Sequence, residues 1–258
     1  MIKYNIYPSL LDGYQNYLDS SINWNRFWGN SDEPSKTEEE YERECFQDLL
    51  DKINRVPLDK EAADKGTAFN EIVDCIIACR KSEKMQIDKI YETTTIGTGK
   101  PFQNCVALKA TYNKRTFTFP IGICKEFADY FKGAVSQVYC EGVLPTKYGD
   151  VLLYGFIDEL LFDKAHDIKT TSSYTAWKYR KGWQHRVYPY CLEQQGNVIA
   201  GFEYNVLEIK GSKYSSYTEP YNYIPSKVKE ELTDVCERFI EFLEAHRERI
   251  TDKKIFNN

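Results

Sequence analysis

With 258 residues, 42% of them hydrophobic and 15% aromatic, the chain is long enough to bury a sizeable core, as one large domain or two small ones. No apolar run approaches membrane-spanning length, and Met1-Ile-Lys-Tyr-Asn5 lacks the apolar core of a signal peptide, so a cytoplasmic protein with no membrane partner is expected. The net charge of −5 argues at first against nucleic acid, but nine acids crowd residues 32–51 against only Lys36 and Arg43, leaving the remainder slightly positive.

Read in chain order, residues 9–17 and 38–54 are expected to be helices, the second with its acids on a solvated face. Residues 66–80 form a strong helix pattern, with Phe69, Ile72, Val73, Ile76 and Ile77 as its apolar stripe. Gly97-Thr-Gly-Lys100-Pro101 mimics a phosphate loop, but position 94 is Thr and Pro101 stands where Ser or Thr is required; it reads as a turn. Residues 105–112 and 116–119 suggest a hairpin around 113–115, and 123–131 a short helix. Residues 135–144 and 151–162 look like paired strands, 163–166 a turn, and 167–171 a returning strand. Helical material is expected from about 173 to 194, a strand over 198–209, and a tyrosine-rich loop over 214–223. Pro225 starts a long helix that buries Val228, Leu232, Val235, Phe239, Phe242 and Leu243.

No linker and no repeat is visible. One domain is therefore expected over 1–258, with a core at about 60–210, an N-terminal helical segment over 1–60 and a C-terminal helix over 225–250. Strands flanked by helices suit an α/β sandwich around a central mixed sheet. The eight cysteines are scattered through apolar stretches, Cys75 and Cys79 on one helix as core residues, and reduced thiols are expected. No histidine pairs with cysteine at zinc-like spacing.

The chemistry concentrates in Gly155-Phe-Ile-Asp158, Asp167-Ile-Lys169-Thr170 and Gln184-His-Arg-Val-Tyr188. Side chains alternate along a strand, so Asp167 and Lys169 share a face while Ile168 turns into the core. Pairing symmetric about the turn places Asp158 opposite Asp167. Two carboxylates forced together repel unless a cation lies between them. Mg²⁺ suits such a site because it takes hard oxygen ligands and keeps several waters. Lys169, one pleat away, is placed to orient a water or stabilise charge on phosphoryl oxygens.

In order, these pieces resemble the PD-(D/E)XK nuclease superfamily, in the branch of the RecB nuclease domain and phage lambda exonuclease. Gly66-Thr-Ala-Phe-Asn70-Glu71 stands for the preceding helix, and Ile6-Tyr-Pro-Ser-Leu-Leu-Asp12 resembles the S-x-S-x-L opening of many such domains, so the resemblance spans roughly residues 6–195. It implies a restriction-endonuclease-like fold and a Mg²⁺-dependent deoxyribonuclease (Mn²⁺ substituting), with exonuclease action favoured. Asp158, Asp167 and the Ile168 carbonyl would hold metal, with Glu71 or Asn70 as the first-helix ligand; the pattern usually has histidine at the position of Asn70. Lys169 would be catalytic, and Gln184 and Tyr188 would buttress the site. Pro189 follows Tyr188 directly, which is expected to bend the motif helix or delay its start. No iron–sulfur cluster is expected, because a C-terminal cysteine cluster is missing. DNA is the expected partner, with a single-strand annealing or recombination protein as a further one, and toroidal relatives make an oligomer conceivable. The alternative is a catalytically inactive member that binds DNA or such a partner.

Between residues 174 and 188, Lys178, Arg180, Lys181 and Arg186 are interleaved with aromatic residues and no acid intervenes. Such cations contact phosphates, and exposed rings stack on unpaired bases. Lys178, Arg180, Lys181, Arg186, Trp177 and Trp183 are the expected DNA-contact residues.

Overall fold

The computed structural model describes residues 1–57, 59–96 and 100–257, with backbone alone at 95, 96 and 100. The elements run β1 (Ile2–Ile6), α1 (Pro8–Leu18), α2 (Ser20–Trp28), α3 (Glu38–Ile53), α4 (Glu61–Ile77), β2 (Gln86–Ile96), β3 (Lys100–Tyr112), β4 (Arg115–Pro120) and α5 (Ile121–Tyr130). They continue with β5 (Val135–Leu144), β6 (Asp150–Leu161), β7 (Lys164–Thr171), α6 (Gln184–Gln194), β8 (Gly201–Lys210), β9 (Lys213–Asn222) and α7 (Pro225–Ala245). A six-stranded mixed sheet has the order β1-β6-β7-β8-β9, with β5 also on β6, and an antiparallel sheet has the order β2-β3-β4. The result is the expected α/β arrangement, a central mixed sheet flanked by helices.

Each face of the main sheet carries its own core. Tyr204 and Val206 of β8 point into a cluster built with α1, α6 and α7. Ile168 of β7 and Leu207 and Ile209 of β8 point into a second cluster with α4, α5 and the small sheet. The one-residue alternation along β8 is what a strand buried on both sides must show.

Local chemistry explains most boundaries. Thr37 accepts the Glu40 N–H at 3.2 Å while the Glu40 carboxylate accepts the Thr37 N–H at 2.9 Å, a capping box that starts α3 within the acidic run. Asn113 and Lys114 both take positive φ, 47° and 64°, in the two-residue turn between β3 and β4. Pro189 lies inside α6, which starts at Gln184.

The structure departs from the sequence expectation in several elements. α2 and β2 were not expected. α4 begins at Glu61, more than a turn before Gly66, and ends at Ile77, so Cys79 is exposed rather than core. The turn expected at 163–166 shrinks to Phe162-Asp163, with Phe162 at φ 54°, because Leu161 already pairs with Lys164. That draws Ala165 and His166 into β7, where both are buried. The tyrosine-rich loop is strand β9, paired with β8 from Gly201↔Asn222 to Lys210↔Lys213. Its Tyr, Ser and Thr suit a pleated edge better than the polarity suggests. Residues 173–183 are turns rather than helix. Here carboxylates from elsewhere take backbone N–H groups a helix would have used: Glu208 binds the Tyr174 N–H, Glu219 the Tyr179 N–H and Asp12 the Trp183 N–H. The turn expected at Gly97–Pro101 falls at residues 97–99 outside the described residues.

Candidate active site

β5 runs along one whole side of β6, from Leu144↔Val151 to Val135↔Leu160. The other side is shared: β1 pairs with residues 150–153 and β7 with residues 159–161. Residues 154–158 lie in the gap between them, and Asp158 closes that gap. Continued by one step, the β6–β7 register would set Asp158 against Asp167, as expected, but backbone pairing has stopped at Glu159↔His166. Instead, Asp158 Oδ2 accepts the Ile168 N–H at 2.9 Å and the Asn70 Nδ2–H at 3.0 Å. A side chain has replaced a ladder acceptor, which splays the two strands at the carboxylates.

On β7, Lys169 Nζ lies 2.7 Å from Asp167 Oδ2, and Gln184 Nε2, from the first residue of α6, donates to Asp167 Oδ1. Tyr188, one turn along α6, rests on Gly155. A Cβ at 155 would stand 2.7 Å from Tyr188 Cε1, so the glycine of Gly155-x-x-Asp158 is required by close approach rather than by φ. Gln184 thus contacts Asp167, and Tyr188 packs on β6.

The electrostatics follow. Burial, and then the Asp167 carboxylate, push the half-buried Asp158 up to about 8. Burial would lower Lys169, but Asp167, Asp158 and Asp12 overcome it and raise the ammonium above its ordinary range. Tyr188 is raised too, by burial first and then by Asp167. Without a further cation, then, burial and the Asp167 charge drive Asp158 toward its neutral form.

Asp12 is the residue the sequence reading quoted but gave no role. It lies on α1, binds the Trp183 N–H at 2.8 Å, and is raised by burial while Lys169 and Lys52 pull it back down. It also lines a cleft of about 480 Å³ with Tyr7, Lys52, Arg55 and Lys60. An acid in an otherwise apolar helix turn, Leu10-Leu11-Asp12, was the available signal.

Of the two first-helix candidates, only Asn70 is seen to touch Asp158. Asn70 reaches Asp158, and its Oδ1 is buried without a hydrogen-bond partner. Glu71, about 100° further round the helix, faces Arg80 at 2.7 Å and Lys84 at 3.2 Å. Burial would raise Glu71, but hydrogen bonds led by Arg80, Ser82 and Lys84 hold it at about 2. Its charge is already spent in an ion pair away from Asp158, so Glu71 is corrected from candidate ligand to structural residue.

The candidate oxygens are the Asp158 and Asp167 carboxylates and the orphaned Asn70 Oδ1, with the Ile168 carbonyl in the paired β7–β8 ladder beside them. Among the described residues no group of three or more His, Cys, Asp or Glu stands together as a metal cage. Two carboxylates with neutral oxygens fit a hard ion that keeps water ligands, Mg²⁺ or Mn²⁺, and not zinc.

The basic segment is more structural than expected. Lys178 Nζ bonds to Thr171 Oγ1 and the Ser173 carbonyl, both at 2.6 Å. Lys181 pairs with Asp19, and Arg186 with Glu231 and the Gly182 carbonyl. Trp183 is only 7% exposed, with the Arg186 guanidinium over its ring, which leaves little of it for stacking on a base, a second correction. Trp177 is exposed. Arg180, Lys181, Arg186 and Lys227 line a second hollow of about 450 Å³.

No protein-family model matches the chain, and no curated protein matches it significantly. Among solved structures it is similar to "Crystal structure of SSO0001", at 12% identity and a TM-score of 0.32 over 47% of this chain. The matched part covers 56% of that protein, little more than half its length. No helix among the described residues is long and apolar enough to cross a membrane.

Proposed function

We propose that this chain is a Mg²⁺-dependent deoxyribonuclease with the PD-(D/E)XK arrangement, an exonuclease in preference to an endonuclease. The observation that carries the reading is the splayed β6–β7 pair. It sets Asp158, Asp167 and the orphaned Asn70 Oδ1 around one spot, with Lys169 beside it.

When bound, the metal would supply charge neutralisation and a more acidic water for in-line attack on phosphorus. The protein's own residues do the rest. Asp158 and Asp167 hold the ion. Asn70 fixes the Asp158 carboxylate and offers a neutral oxygen. Lys169, kept charged by its carboxylate neighbours, hydrogen-bonds the attacking water and the phosphoryl oxygens as charge grows there. Gln184 fixes Asp167, and Tyr188 packed on Gly155 fixes the distance between α6 and β6. An annealing or recombination protein is the natural companion of such an exonuclease.

A second reading, a nuclease-fold protein that binds DNA without cutting it, is favoured by one observation. Asn70 is a weaker ligand than histidine or carboxylate, which leaves only two charged ligands. The deciding experiment follows end-labelled linear duplex and single-stranded DNA with Mg²⁺ or Mn²⁺. Lys169→Ala is expected to slow label release by about 10²–10³-fold. Absence of cleavage on linear, circular and branched DNA, with poor Mn²⁺ binding, would leave the second reading standing.

A further inference from the structure

Along β6, residues 151, 153, 155 and 157 are buried, while 152, 154, 156 and 158 stand on the opposite side. Phe156 in that row is 58% exposed. Directly across the ladder lies Tyr139, 44% exposed, with ring centroids 5.3 Å apart. Val135 and Val143 of β5 are exposed at either end. α6 covers only the other face, where Cα of Cys191 lies 3.1 Å from the position of a Cβ on Gly142. β5 and β6 therefore present a bare face with an aromatic pair at its centre, a costly thing to leave in water without a use.

Its position suggests the use. Phe156 precedes Asp158 by two residues on the same row, roughly 7 Å along the strand. In the other direction comes Tyr154, which stacks edge-on with Tyr7 at 5.7 Å and accepts a hydrogen bond from Arg55 at 3.3 Å. Tyr7 and Arg55 in turn line the cleft that contains Asp12, Lys52 and Lys60, together with Asp48 and Asp51. Rings thus lead to the Asp158 carboxylate from a cleft whose wall carries both cations and acids. The Tyr139 hydroxyl donates to Glu141 at 2.7 Å, leaving the ring itself free. Aliphatic residues would suffice for a protein partner; adjacent planar rings beside a phosphodiester site fit nucleobases. Paired bases inside a duplex are already stacked on each other, so only unpaired bases can use such a surface.

We infer that Tyr139 and Phe156 form a stacking platform for unpaired bases of the strand that enters the Asp158 site, so that the substrate presents single-stranded nucleotides there. The inference rests on the nuclease reading for its setting, but its test uses binding alone. A fluorescein-labelled oligothymidylate and a blunt duplex are titrated with the whole chain in EDTA, following anisotropy. Phe156→Ala and Tyr139→Ala, both surface changes, are each expected to weaken single-strand binding about tenfold, with the blunt duplex unaffected. Phe156→Trp should keep the affinity and Phe156→Leu should lose it.

Four results would overturn the platform: no single-strand binding by the natural chain, unchanged affinity when Phe156→Ala and Tyr139→Ala are combined, full affinity in Phe156→Leu, or a dimer that the combined variant converts to monomer. The last would mean that a second copy covers the face. Ring-dependent binding without metal-dependent cleavage supports the platform and sinks the nuclease. Cleavage that needs Lys169 but ignores both rings does the reverse.

Discussion

Two pairs of acids lie side by side in this fold and are handled in opposite ways. Asp74 and Glu159, from α4 and β6, are 2% and 0% exposed. Burial, then a hydrogen bond between the two carboxyls, raises Glu159 to about 8, and Asp74 is raised by burial as well. Ser136 Oγ donates to both Glu159 oxygens at 3.0 and 2.9 Å. Among the described residues no cation forms an ion pair with either; Arg80 and Lys84, the nearest, pair with Glu71. Asp158 and Asp167, one residue away on β6 and across on β7, suffer the same repulsion. They are instead set beside Lys169 and the Asn70 amide. A raised carboxyl by itself therefore does not mark a site. A nearby cation, and the partial exposure of Asp158 and Lys169, separate the pair at the candidate site from the pair that only fills the core.

That contrast can be broken most sharply on α4. Asn70→Ala should lower Mn²⁺ affinity and cleavage by about 10–100-fold, as loss of a supporting metal-site residue does. Glu71→Gln should change thermal stability and leave metal affinity alone. Equal effects in a Mn²⁺ titration would mean that the helix acid belongs to the site after all. Gly155→Ala comes next. The added methyl collides with the Tyr188 ring, and about 1–3 kcal/mol of stability is expected to be lost in chemical denaturation.

The sealed pair gives a pH prediction. Glu159 sits near 8 in the fold, above its ordinary 4.5. The proton's stabilising effect is therefore complete below about 4.5 and fades as pH rises toward 8. Melting temperature without metal should fall between pH 5 and pH 9. The fall should be shallower in Glu159→Gln, by roughly 2–4 °C for each kcal/mol relieved. Identical slopes would place the titrating group elsewhere, with Asp158 next in line. The smallest effect is on the basic segment. Arg180→Ala should weaken DNA binding and reduce its salt dependence by about one phosphate contact, whereas Lys181→Ala, already paired with Asp19, should do little.

Much of the site could be read in advance because it depends on short-range order. Gly155, Asp158, Asp167, Lys169, Gln184 and Tyr188 occupy one strand pair and the next helix, and strand alternation fixes which of them share a face. Residues whose role depends on distant partners were harder. Glu71 looked like a ligand until Arg80 and Lys84 were seen to hold it. Trp183 looked like a base-stacking ring until the α6 core closed over it. Asp12 is some 170 residues from Trp183 in sequence, and no local pattern ties them. The turns over 173–183 had a helical composition, and only carboxylates on β8, β9 and α1 explain why the backbone declined to coil.

By itself, then, the sequence determined the class of the fold, the strand pair and the acids and lysine on it. Periodicity, turn residues and spacing act over a few residues and need no partner. Tertiary structure decided which acids are available. β1 and β7 share one edge of β6 and leave a gap at Asp158, α4 brings Asn70 and not Glu71 to that gap, and Asp74 seals Glu159 into the core. Those outcomes depend on how helices seat against the sheet, where burial and long-range hydrogen bonds outweigh any local preference.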